Sequence, residues 1–151
     1  MKKRDRQAKI LEIIDTQAIE THEDLQNALG EFGLETAQST LSRDIRELNL
    51  VKVKNAQGQT VYTQAQKEEA QNRLKETLQL YVHSVARVEF MLVLKTALST
   101  ADILASVIDE MERPEILGTI AGADTLMMSA RSVEDAQMLE EQFLQMLESD
   151  K

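Results

Sequence analysis

The stretch Thr36-Ala-Gln-Ser-Thr-Leu-Ser-Arg-Asp-Ile-Arg-Glu-Leu48 reads as one amphipathic helix. Leu41, Ile45 and Leu48 recur at helical spacing and point to a core, whereas Gln38, Ser39, Ser42, Arg43 and Arg46 share the other side. These polar residue types suit DNA. Arginine grips a guanine edge with two parallel hydrogen bonds, glutamine does the same for adenine, and serine reaches bases or phosphate oxygens. A merely solvated helix carries the same residue types, so the neighbouring sequence has to decide.

Upstream, Thr21 and Asp24 suit a helix start, and Leu25, Ala28, Leu29 and Phe32 form a second apolar face. Gly30 and Gly33 supply a break, and Thr36 suits the cap of the next helix. Together these elements predict a helix-turn-helix, whose second helix enters the major groove of double-stranded DNA. Downstream, Leu50-Val-Lys-Val-Lys54 alternates, Asn55 to Gln59 contains turn formers around Gly58, and Thr60-Val-Tyr62 resumes a strand. This hairpin would be a wing with one apolar face and with Lys52 and Lys54 on its exposed side. Those lysines suit phosphates and equally suit protection of an edge strand from aggregation.

A first helix from about Arg4 to Thr16 offers Ile10, Leu11, Ile13 and Ile14 to a three-helix core. Lys2, Lys3, Arg4, Arg6 and Lys9 crowd its start, where positive charge opposes the helix dipole. The cluster is open to two readings: it meets an anionic partner, or it is a solvated terminus.

The chain has 151 residues and a formal net charge of -9, which looks unfavourable for nucleic acid. Its distribution removes much of the objection. Residues 1–64 hold nine basic and ten acidic residues, and residues 65–151 hold eight and sixteen, so the acidity belongs to the second half. DNA affinity per subunit is then expected to be modest and strongly salt-dependent, with several copies acting together.

The sequence divides into a winged helix-turn-helix domain at 1–64, a polar linker with helical tendency at 65–79 and a second domain at 80–151. No apolar run is long enough to span a bilayer, no signal sequence is read before the first helix, and there is no cysteine for a disulfide or thiolate site. A cytoplasmic protein without membrane attachment is expected.

In the second half, Tyr81–Ala86 and Val88–Leu94 read as strands, the latter nearly all apolar and expected to be buried on both faces. Ser99 or Thr100 caps a helix with Ile103, Leu104, Val107, Ile108 and Met111 inward. Strands over Ile116–Ala121 and Thr125–Ser129 flank a Gly-Ala-Asp turn. Ser132 then opens a helix presenting Val133, Ala136, Leu139, Phe143, Leu144 and Leu147. The fold class is α+β: a winged helix-turn-helix followed by a small α/β sandwich in the order strand-strand-helix-strand-strand-helix. Its second sheet face has no obviously polar surface and calls for burial against other subunits. The methionines Met91, Met127, Met128, Met138 and Met146 suit adaptable packing, some of it at an oligomer contact.

With these residues in view the chain resembles the bacterial arginine repressor family. Two separated motifs carry the resemblance: Gln38-Ser-Thr-Leu-Ser-Arg-Asp44 with Glu47-Leu-Asn-Leu-Val-Lys-Val53, and Leu117-Gly-Thr-Ile-Ala-Gly-Ala-Asp-Thr125. The resemblance spans residues 4 to 148. It implies an operator-binding regulator of arginine biosynthesis and catabolism, with an oligomerisation domain that forms trimers and stacks them into hexamers. L-arginine is the implied effector, a corepressor bound between the stacked trimers. Ser42 and Arg43 stand at the family's Ser-Arg pair and Gln38 at its usual glutamine. Ser39 and Arg46 follow from helix geometry instead.

At the effector turn the family normally has two successive aspartates, and here the pair is Ala123-Asp124. The resemblance places Asp109 at another acidic pocket position and Asp102 near a family glutamine, where its carboxylate would partly replace the missing one. Thr119 and Ala121 offer backbone carbonyls. Asp102 and Asp109 lie two helical turns apart and share a face, although dipole stabilisation alone explains an aspartate at Asp102. Three readings of Ala123 stay open: weak arginine binding, another ligand, or a subunit that mixes with a paralogue retaining both aspartates. An effector-independent DNA-binding protein is the alternative to the arginine-responsive regulator.

An enzyme is not expected, and neither a metal nor any other cofactor. His22 and His83 belong to different expected domains with no accompanying catalytic motif, and Asp102, Asp109 and Asp124 lack calcium-loop spacing. His22 reads as a helix-start residue.

Overall fold

Apolar residues at helical spacing gather the first sixty residues around one small core. In a computed structural model that describes residues 2–149, helices α1 (Lys3–Thr16), α2 (His22–Glu31) and α3 (Gln38–Glu47) precede strands β1 (Leu50–Lys54) and β2 (Thr60–Gln64). Ile10, Ile13 and Ile14 from α1, Leu25, Ala28 and Leu29 from α2, and Leu41 from α3 are buried with Ile19 and Tyr62. Three helices followed by an antiparallel hairpin make the winged helix-turn-helix.

Local chemistry sets the boundaries. The Thr21 hydroxyl accepts from the Asp24 N–H at 3.0 Å and the Asp24 carboxylate accepts from the Thr21 N–H at 3.2 Å, a reciprocal capping box. His22 is the first residue of α2, its ring 6.0 Å from that of Tyr62. Gly30 does not break α2 but lies within it. The stop comes from Gly33, whose φ of 76° is the left-handed conformation that a side chain disfavours. Thr36 is not the cap of α3. Ala37 holds that position without a side-chain bond, because Thr36 is turned toward α2 and its carbonyl accepts from Gln26 Nε2 at 2.8 Å.

The chain divides into two compact units, Met1–Glu68 and Glu69–Lys151. The segment 65–79, read as a polar linker with helical tendency, forms most of α4 (Ala65–Tyr81), and Leu74, Thr77 and Leu78 on it are buried. Leu74 and Leu78 lie four residues apart, so one helical face carries them both into the core of the second unit.

That second unit follows the expected order: β3 (Val82–Val88), β4 (Met91–Thr96), α5 (Ala101–Glu110), β5 (Ile116–Ala121), β6 (Thr125–Ala130) and α6 (Val133–Glu148). The sheet runs β3-β4-β6-β5, antiparallel throughout. Leu92, Leu94, Leu126 and Met128 pack under Leu104 and Ile108 of α5 and Leu139 and Phe143 of α6. Two residues expected inward are not: Ile103 and Leu144 are 43% and 39% exposed. Each neighbours a fully buried residue, Leu104 or Phe143, and one step along a helix turns a side chain away from the core. At the start of α5, Thr100 occupies the cap position but its hydroxyl donates to the Ala97 carbonyl at 2.6 Å instead of capping the helix.

Strand β4, expected to be buried on both faces, buries only Leu92, Leu94 and Thr96 in the single chain, while Met91 and Val93 are half-buried. The register aligns Ala86, Val93, Met127 and Ile120 as one row across all four strands. Met127 and Ile120 in that row are 45% and 76% exposed, so this apolar side of the sheet lacks a cover among the described residues of the second unit.

Candidate nucleic-acid interface and ligand turn

Helix α3 presents the predicted polar face. Gln38, Ser39, Arg43 and Arg46 are exposed and Ser42 is half-buried, while Leu41 is fully buried and Ile45 and Leu48 pack against the core. Among the described residues neither Arg43 nor Arg46 forms an ion pair, so both guanidinium forks face solvent with their donors available.

The opposite side of α3 holds a feature that sequence reading missed. Asp44 is 1% exposed, and Arg6 of α1 holds both its oxygens, donating from Nε to Oδ2 and from Nη2 to Oδ1 at 2.9 Å. Gln7 Nε2 donates to Asp44 at 3.0 Å and to Glu47 at 2.9 Å, and the Lys3 ammonium meets Glu47 at 2.7 Å. Burial by itself raises the Asp44 pKa, but the hydrogen bonds from Arg6 and Gln7 and the nearby positive charges outweigh it and leave it below the ordinary value. The signal in the sequence was an acid on the same helical side as Leu41 and Leu48, where a solvated charge has no place.

In the wing, Lys52 and Lys54 are both exposed, yet their face differs from the expected one. Lys52 stands opposite Tyr62 in the ladder, so it shares a face with Leu50 and Tyr62, and its ammonium lies 5.1 Å from the Tyr62 ring centroid. Val51, Val53 and Val61 form the other face, half-buried. The basic terminus is also partly committed: besides Lys3 and Arg6, Lys9 pairs with Glu12 at 3.0 Å and sits 4.3 Å from the Phe32 ring centroid.

In the second unit the ligand candidates fall into three local settings. Thr119 donates its hydroxyl to Asp109 at 2.9 Å, linking β5 to the end of α5. Asp102 is exposed on the first turn of the same helix and accepts from the Ile103 N–H at 3.0 Å. Ala121 and Asp124 flank the β5–β6 turn, both exposed. That turn is tied to the end of β4, with the Ser99 N–H donating to the Ala123 carbonyl at 2.7 Å and the Thr96 N–H to the Asp124 carbonyl at 2.8 Å.

Asp124 has side-chain partners that the sequence did not reveal. Thr125 donates to it at 2.9 Å, Lys95 donates to the Thr125 hydroxyl at 2.6 Å, and the Lys95 ammonium is 3.5 Å from the Asp124 carboxylate. The Thr125 hydrogen bond and the Lys95 charge hold its pKa below the usual carboxylate value. Lys95 and Thr125 are direct cross-strand partners, and a charged residue near the end of an otherwise apolar strand was the available sign. Among the described residues no group of three or more acidic or histidine side chains is arranged to hold a metal, and no helix is long and apolar enough to cross a membrane.

Comparison with known proteins matches both units. Residues 1–70 fit the family model for the arginine repressor DNA binding domain, and residues 78–145 fit that for the arginine repressor C-terminal domain. An arginine repressor of Enterococcus faecalis is 39% identical over 99% of this chain and 98% of its own length. One of Streptococcus pyogenes is 43% identical over 93% and 95%, and an arginine regulator of Lactiplantibacillus plantarum 41% identical over 95% of each chain. With both domain models matched in order over a winged helix-turn-helix and an α/β sandwich, the chain belongs to the arginine repressor family of DNA-binding transcriptional regulators.

Proposed function

We propose that the chain regulates arginine biosynthesis and catabolism genes by binding double-stranded operator DNA through α3, with L-arginine as corepressor at the ends of α5 and the β5–β6 turn. One observation carries the DNA assignment: Arg43, exposed and without an ion pair among the described residues, projects from a helix whose other side is anchored by the fully buried Leu41. Gln38 and Ser42 read bases beside it, Ser39 and Arg46 extend the contact, and Lys52 and Lys54 meet phosphates from the wing. Arg43→Ala abolishes specific operator binding in a gel-shift titration and leaves oligomer mass unchanged. Retained affinity overturns the assignment.

The uncovered apolar row of the sheet supports assembly into trimers, and stacking of trimers into a hexamer encloses arginine between Asp109, Asp124 and the Thr119 and Ala121 carbonyls, with Asp102 alongside. Oligomer mass measured with and without L-arginine tests that stacking. No cofactor or catalytic step belongs to this reading, and the site of action is the cytoplasm.

A second reading has its own support. The turn carries Ala123 where the family has an acid, and its remaining carboxylate already faces Lys95. A charged hydrogen bond contributes roughly 1.5 to 3 kcal/mol, so losing one weakens a ligand by about tenfold to more than a hundredfold. On this reading the chain responds weakly or not at all to arginine, and acts in mixed oligomers with a paralogue or without an effector. Calorimetry with L-arginine on the native chain and on Ala123→Asp separates the two.

A further inference from the structure

We infer that Arg6, acting through Asp44, is a positioning residue for operator reading: the amino end of α1 is a brace that sets the roll of the recognition helix. This rests on α3 being the DNA reader.

Two points of attachment matter here. Asp44 and Glu47 are one turn apart on α3, and each is gripped by the first turns of α1, Asp44 by Arg6 and Gln7, Glu47 by Lys3 and Gln7. Leu41 is the fully buried apolar side chain of α3, with Ile45 and Leu48 only partly buried beside it, and non-directional packing of this kind resists separation of two helices better than it resists rotation about the helix axis. Two polar attachments a turn apart, one of them a two-pronged guanidinium grip, fix both rotation and translation. Arg43 is the residue immediately before Asp44, so any roll that displaces the Asp44 carboxylate displaces the Arg43 fork with it.

Energetics alone do not explain the pair. A buried ion pair is a poor source of stability compared with apolar side chains of the same volume, and its better-attested use is to select one geometry. Glu47 makes the same point, since an acid at the carboxyl end of a helix opposes the dipole and gains only through its partners on α1. Lys3 and Arg6 of the basic amino terminus thus each pair with an acid of α3.

The test uses the full chain and a duplex selected by it from a random-sequence pool, beside an unselected duplex of equal length. Arg6→Gln and Asp44→Asn each lower affinity for the selected duplex by about tenfold with little change for the unselected one. The salt dependence stays that of the native chain. The Arg6→Gln, Asp44→Asn double variant lacks the grip without leaving a charge unmatched, and stays as unselective as the single variants. If Arg6→Gln flattens the salt slope by about one phosphate contact, Arg6 touches DNA directly and the inference is overturned. Folded single variants with native selectivity overturn it as well. If a single variant does not fold, the double variant decides: folded and unselective supports the brace, folded and selective refutes it. Arg43→Ala measured in parallel keeps the two assignments apart, because its normal binding would remove α3 as the reader and not the brace alone.

Discussion

The Lys95 ammonium stands 3.5 Å from the Asp124 carboxylate, so the one acidic side chain in the β5–β6 turn already has a cation beside it. An incoming guanidinium or ammonium group has to share or displace that charge. Ala123→Asp is expected to tighten L-arginine binding by about tenfold or more, because it adds a second charged acceptor to the turn. Lys95→Met is expected to tighten it by a smaller factor. Calorimetry on the two variants checks the order, and a Lys95→Met chain that binds more weakly than the native one would assign the lysine to the ligand instead.

Asp124 should also titrate abnormally low. Its pKa is depressed by the Thr125 hydrogen bond and the Lys95 charge, so it remains ionised as pH falls through the ordinary carboxylate range. In an NMR titration the Asp124 carboxyl moves up toward the ordinary value in Thr125→Val, and any arginine response of the native chain survives to a lower pH than that of the variant.

The N-terminal unit carries a comparable acid sensitivity through Asp44. Its folded pKa lies below its unfolded one, so the Arg6 pair stabilises the unit fully above the ordinary carboxylate value of about 3.9. That stability is lost as pH falls from there through the folded pKa. Thermal unfolding of the native chain and Asp44→Asn should therefore converge in strong acid and separate near neutrality. A constant difference at every pH contradicts the linkage.

Wing lysines predict a change in slope and not in selectivity. If Lys52 and Lys54 each neutralise one phosphate, Lys54→Ala lowers the dependence of log K on log salt by about 0.9 and weakens selected and unselected duplexes alike. Lys52→Ala should do the same and in addition lose its contact with the Tyr62 ring.

Thr21→Ala removes one half of the capping box that starts α2. A loss of about 1 kcal/mol, within a range of roughly 0.5 to 2, is expected for the N-terminal unit in denaturant titration. Thr21→Ser keeps the acceptor oxygen and should retain most of the stability.

Periodicity made much of this structure legible. Leu41, Ile45 and Leu48 located the buried side of α3 because a helix repeats its faces within a turn, and Ser132 announced α6 because its hydroxyl accepts the Asp135 N–H at 3.1 Å. What escaped depends on separation. Arg6 meets Asp44 across 38 residues and Lys95 meets Thr125 across 30, and spacing within one element says nothing about such partners. The wing shows the same limit from another direction. Alternation identified its lysines as exposed, but the pairing of Lys52 with Tyr62, which decides the face they share, is a property of the register.

The row formed by Ala86, Val93, Met127 and Ile120 has a consequence for how the protein is counted in a cell. Where another copy covers that apolar side, as the proposed assembly requires, mass action ties the folded population to abundance. Dilution should lower the melting temperature of the second unit, and doubling expression should raise both its lifetime and the fraction assembled. The gene dose of such a regulator then becomes an input of its own.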